Sequence, residues 1–264
     1  MQNNYTRIFN IRTHSNGTYK SSIKTNAFSF IGILLTILLV ILVLQGITAV
    51  TTSWLTKIFL IPIILISLTV HEYAHARIAV FLGDPTPRLM GRLSLNPLKH
   101  LDPVGTLLLL FANFGWAKPV VVEPSNFRDP QKAMVSVALA GPISNMILAF
   151  IGMLSLKLVS ISQSFLIENH YIQILNLLPL TSEIINTFII INLGLTMFNL
   201  LPVPPLDGSR LLSYFMPLKY RYQYNQFEQM APMILLFFMM FGGLSAILTP
   251  MVRASYSFLA SFFF

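Results

Sequence analysis

The chain contains no cysteine among its 264 residues. That excludes a disulfide framework, a thiolate metal site and a cysteine nucleophile, so any metal ligands must be histidine or carboxylate. Charge is also scarce. Only 10% of residues are Asp, Glu, Lys or Arg, and 9 are acidic against 17 basic. An ordinary soluble domain carries about 25% charged residues. Here 55% of residues are hydrophobic and the mean hydropathy is +0.70, which places the chain in a lipid bilayer. Neither a tandem repeat, nor a low-complexity tract, nor a soluble accessory domain is evident.

A helical span needs about 20 mostly apolar residues. Stretches of that length lie near 27–50, 58–82, 133–157, 184–201 and 230–249. The expected fold class is therefore an all-α polytopic membrane protein of five to six transmembrane helices. Leu101 to Phe114 is apolar but too short to cross, and Gly115 to Glu123 alternates with valines. Together they suggest a re-entrant segment with a small membrane-embedded β-hairpin. Residues 1–26 form a basic arm, 27–249 the transmembrane domain and 250–264 an apolar, aromatic tail that suits an interfacial helix. The apolar run from Phe28 to Val50 is long for a cleavable signal, so it reads as a retained span.

The distribution of positive charge orients this layout. Arg7, Arg12, Lys20 and Lys24 precede the first span with no acidic partner. Six further Lys and Arg lie in 83–132, and Arg210, Lys219 and Arg221 lie in 203–229, whereas the alternate loops hold little beyond Lys57. Five spans put all three basic regions on one face, the cytoplasmic one by the positive-inside rule. The same rule accounts for the basic arm without a nucleic-acid partner. The expected location is the cell membrane, multi-pass, with the amino terminus cytoplasmic.

Within the second span His71, Glu72 and His75 form an HExxH motif. On a helix this spacing places both imidazoles on one face, one turn apart, where they can share a metal ion, while the adjacent glutamate can take a proton from a metal-bound water. A charged side chain at mid-bilayer costs about 2.5–3.5 kcal/mol, so such a cluster needs a compensating role. A catalytic zinc site has three protein ligands and an open fourth position. His100, His170 and the carboxylates can supply the third. Asp207 follows the proline cluster Pro202, Pro204 and Pro205 and precedes Gly208, so irregular backbone could turn it inward; the other reading is an interfacial aspartate capping the helix that starts near Ser209.

Three motifs in order, HEYAH at 71–75, GPISN at 141–145 and NLLPVPPLDG at 199–208, resemble those of the site-2 protease family of intramembrane zinc metalloproteases, in a minimal form without PDZ or CBS domains. The likeness covers about 58–210. It implies one Zn2+ per chain bound by His71, His75 and Asp207, with Glu72 activating water. It also implies a catalytic role for Asn145, beside the zinc, holding substrate backbone or the developing oxyanion; from the residues alone, Asn145 reads rather as an interhelical hydrogen bond. Phe114 to Val122 resembles the family's membrane-embedded hairpin, whose edge an extended substrate could join. The implied activity is hydrolysis of peptide bonds within or next to the transmembrane segments of membrane-protein substrates. The alternatives are a metal or proton transporter, or a non-catalytic membrane scaffold of the same fold.

Overall fold

The computed structural model describes residues 54–106, 115, 117–168 and 178–264. The basic arm, the expected span at 27–50, Trp116 and His170 lie outside the described residues. Helix α1 (Trp54–Phe81) realises the expected second span. It ends in a closure in which the Asp84 amide bonds to the Ala79 carbonyl and that of Gly83 to Val80, with Gly83 at φ 114°. Only glycine adopts that backbone readily, so the helix stops here. A single turn, α2 (Thr86–Leu89), follows.

Helix α3 (Pro130–Glu168) contains the expected span at 133–157 but is far longer, at 39 residues. At 1.5 Å per residue it measures about 58 Å, twice the hydrocarbon thickness of roughly 30 Å, so its ends project beyond the lipid tails. Its start is set by Asp129, whose carboxylate accepts the Lys132 amide, and by Pro130 in the first turn. Helix α4 (Leu178–Asn199) begins six residues before the expected 184. A short helix, α5 (Asp207–Phe215), then lies beyond the proline cluster.

The last expected span, 230–249, is not a straight helix. Residues Arg221–Met240 form α6 and Gly243–Ala260 form α7, bent by 81° at the break between them. Gly242 sits at φ 72°, a left-handed conformation that cannot continue a helix. Helix α7 runs through residue 250, where the sequence reading separates a span from a tail. No β-strand forms among the described residues, so the expected β-hairpin is not seen there; its region holds one isolated antiparallel bridge, Leu101 to Ala117, and residues 107–114 between the two lie outside them.

Among the described residues, Phe59–Phe81, Pro130–Glu168 and Leu178–Asn199 are each long and apolar enough to cross a membrane, and the bent pair α6–α7 makes up to four. The chain is an integral membrane protein. The core lies where α3, α4 and α7 meet, around Ala149, Met153, Ile189, Leu193 and Leu259. Gly152 permits that approach: a Cβ there would fall 2.7 Å from Ile189. Small residues serve this purpose in membranes, where packing rather than hydrophobicity drives association. On α3 the exposed side chains Ile143, Ile147, Ile151, Leu154 and Leu158 recur at helical spacing, forming an apolar stripe suited to lipid.

Candidate metal centre

His71 and His75 leave the same face of α1 and are buried, with ring centroids 4.6 Å apart and an interplanar angle of 82°. Their hydrogen bonds fix which nitrogen carries the proton. His75 Nδ1 lies 2.7 Å from the Val137 carbonyl, which can only accept, so Nδ1 is the donor. His71 Nδ1 lies 2.5 Å from Asn145 Oδ1. The Asn145 amide nitrogen donates to the Ser67 carbonyl at 3.2 Å and to Asn192 Oδ1 at 2.8 Å, so its oxygen must face His71, which donates from Nδ1 in turn. Each ring, when neutral, therefore presents its Nε2 lone pair.

Both lone pairs face one carboxylate. Asp207 Oδ2 lies 3.2 Å from His71 Nε2 and 3.3 Å from His75 Nε2. These separations suit ion pairs when the rings are protonated at both nitrogens; when each ring is neutral, with Nδ1 as its proton carrier, no hydrogen lies between them. Asp207 Oδ2 is accordingly a buried oxygen without a donor. Three converging acceptors are costly unless a cation sits among them. Tetrahedral zinc with bonds of about 2.0–2.1 Å sets neighbouring ligand atoms about 3.3–3.4 Å apart, so the two separations to Asp207 fit that ion. Among the described residues, His71, His75 and Asp207 form a group able to hold a metal.

The space is kept open by glycine. A Cβ on Gly141 of α3 would lie 2.4 Å from His75 Nε2 and 2.5 Å from His71 Nε2. Asp207 is delivered by the turn from Leu200 to Leu206, in which the Leu206 amide bonds to the Val203 carbonyl. Gly208 presses against that turn, since a Cβ there would meet the Leu200 carbonyl oxygen at 2.3 Å. Asp207 is the first residue of α5, and its cap, Leu206, makes no side-chain bond. The carboxylate thus faces the histidines instead of capping a helix at Ser209.

Glu72 projects beside this group, and its Oε2 accepts the Val120 amide at 3.0 Å. The segment carrying Val120 is held at both ends. At one, the Lys118 amide bonds to the His100 carbonyl at 2.7 Å. At the other, the Glu123 amide bonds to Asp84 Oδ2 at 2.8 Å. Asp84 is fully buried and also accepts from the Thr86 amide and hydroxyl and from Asn126. Burial pushes its carboxyl up, but these bonds outweigh that and hold it below the ordinary carboxylate range.

Among the sequence candidates, His71, His75 and Asp207 come together with Asn145 behind His71. His100 is buried within its own loop, with Nε2 at 2.7 Å from the Ser94 carbonyl. Both donors of Asn145 are engaged by protein, which is the interhelical bond foreseen from the residues; acting on an oxyanion would require giving one up. Sequence reasoning missed Asn192 and Asp84. Asn192 carried a signal, a polar side chain within a span.

Residues 59–242 match Peptidase family M50. The chain belongs to that family. As an M50 protein it is similar to the Bacillus subtilis protein named "Putative zinc metalloprotease YwhC", at 39% identity over 196 residues, which cover 74% of this chain and 86% of the relative. It is also similar to "Putative zinc metalloprotease Rip2" of Mycolicibacterium smegmatis, at 32% identity over 155 residues, which cover 54% of this chain and 52% of that one. No solved structure matches. The M50 family is the site-2 protease family that the three motifs resemble, and its matched region contains all of them.

Proposed function

We propose that this M50 protein is an intramembrane zinc metalloprotease that hydrolyses peptide bonds within or next to transmembrane segments of membrane-protein substrates. The observation that carries the reading is the convergence of His71 Nε2 and His75 Nε2 on the Asp207 carboxylate, with both histidines and Glu72 on a helix apolar enough to span a membrane. His71, His75 and Asp207 hold one zinc ion per chain. Bound there, zinc supplies a Lewis acid for the scissile carbonyl and acidifies a water.

The chain's own residues do the rest. Glu72 takes the proton of the attacking water and returns it to the leaving amine. Its Oε2 is oriented by the Val120 amide, which leaves Oε1 to receive the proton. Asn145 and the Val137 carbonyl hold the two imidazoles in their ligating tautomers. The substrate helix must unwind locally, because an amide bonded within a helix is not open to attack. The centre faces the cytoplasmic end of α1, by which water enters.

The test is reconstitution with a single-span membrane substrate. The wild-type protein cleaves it, while Glu72→Gln cleaves at least about 100-fold more slowly yet retains zinc. Equal cleavage by the variant contradicts the base assignment. Ion flux across the vesicles without any peptide would favour a transporter, and zinc binding without cleavage of any substrate would favour a scaffold.

A further inference from the structure

We infer that Asn192 on α4 is a positioning residue for the metal centre, acting through Asn145 to hold His71 in the tautomer that presents Nε2 to the ion. The inference rests on the metal-centre reading above, not on proteolysis. Asn192 is completely buried, 47 positions along the chain from Asn145. Its Nδ2 donates to the Phe188 carbonyl at 2.8 Å. A backbone carbonyl can only accept, so the orientation of the Asn192 amide is determined, and its Oδ1 is the atom turned toward α3.

The polarity then passes along a single line. Asn192 Oδ1 accepts from Asn145 Nδ2 at 2.8 Å, whose other hydrogen goes to the Ser67 carbonyl at 3.2 Å. Asn145 Oδ1 accepts from His71 Nδ1 at 2.5 Å. Reversing either amide would set oxygen against oxygen at a buried site, at a cost of about 1–3 kcal/mol for each unsatisfied group. The direction of the whole relay is thus anchored in the backbone of α4 and read out at the histidine. The Ser67 bond is the longer of the two on Asn145, so Asn192 is the closer constraint. Thr196, one turn on, has its hydroxyl 3.2 Å from the Pro142 carbonyl and 2.9 Å from that of Asn192, bracing α4 against α3 where the relay crosses. The relay also binds α1, α3 and α4 into one frame, so that the histidine orientation depends on a helix that contributes no ligand.

The experiment measures zinc affinity of the full-length protein in detergent by chelator competition, with thermal unfolding of the zinc-free form as the check on folding. Asn192→Leu keeps the branched four-atom skeleton, with bulkier methyl groups, and removes the acceptor. It should bind zinc about 10-fold more weakly than wild type, in the range seen when a partner behind a ligand is lost. In Asn192→Asp one oxygen still accepts from Asn145, but the other faces the Phe188 carbonyl and needs a proton. Its deficit relative to wild type should therefore narrow as pH falls. Zinc affinity of a folded Asn192→Leu within about twofold of wild type would overturn the inference. Should Asn192→Leu not fold, a deficit in Asn192→Asp that is absent, or identical at every pH, overturns it instead. A wild-type chain that binds no zinc at all fails the metal-centre reading itself, and Asn192 with it.

Discussion

Asp207 Oδ2 and His71 Nε2 face each other at 3.2 Å across a buried gap, and no committed hydrogen-bond donor reaches that oxygen. The rings' own hydrogens are committed elsewhere, to Asn145 and Val137, so the pair cannot be satisfied as a neutral hydrogen bond. His75 Nε2 closes the third corner at 3.3 Å. Helix α1 and the turn that enters α5, far apart in sequence, have thus been folded to bring lone pairs together, an arrangement that a cation converts from a cost into a source of stability.

Gly141→Ala should empty this centre. The added carbon would sit 2.4 Å from His75 Nε2 and 2.5 Å from His71 Nε2, and the backbone of α3 cannot recede without breaking its packing on α1. Strain of about 1–3 kcal/mol is expected, relieved by turning one or both rings out of ligating position. Zinc content per chain, measured on protein that still inserts and resists unfolding, should fall well below that of wild type.

Gly208→Ala tests the other side. Its Cβ would meet backbone, the Leu200 carbonyl oxygen at 2.3 Å, so the turn must move and Asp207 with it. Zinc affinity should drop by at least about 10-fold, comparable to disturbing a ligand's support. The histidine pair on α1 is untouched, so the variant should keep residual metal binding, unlike Gly141→Ala.

Asp84 gives a pH dependence. Its carboxyl is held below the ordinary range in the folded protein, so it contributes stability that is complete above its unfolded pKa, about 3.9, and is lost as pH falls through the folded value. Asp84→Asn sets an amide nitrogen against one of the donors it now accepts from, and should destabilise by about 1–3 kcal/mol near neutral pH. The gap in unfolding temperature between wild type and variant should close on acidification below about pH 4. A gap that persists or widens there contradicts the assignment.

The HExxH group and its helix were legible because a four-residue spacing within an apolar run leaves little else for those side chains to do. Asp207 was legible only in part. The proline cluster announced irregular backbone, but whether the carboxylate turned inward or capped a helix depended on how α5 packs, which the motif resemblance supplied and local sequence did not. The bend between α6 and α7 was hidden because hydropathy runs unbroken across Gly242 and Gly243, and hydropathy records burial in lipid, not direction. Asn192 was visible as a polar residue in a span, yet its partner sits on another helix. Asp84 stands in a Gly-Asp-Pro stretch at a helix end, which by itself marks only a turn. Its role became apparent only when the turn at Glu123 to Asn126 folded back onto it.

The most direct measurement is the zinc content of purified protein, by elemental analysis, for wild type and for Asp207→Ala. Wild-type protein should hold one zinc ion per chain and, because a ligand is lost and not merely a supporting bond, the variant should bind zinc more than about 100-fold more weakly. Wild-type protein that takes up no zinc when it is supplied, or an Asp207→Ala protein that holds it as tightly as wild type, would contradict the claim that His71, His75 and Asp207 form the metal centre.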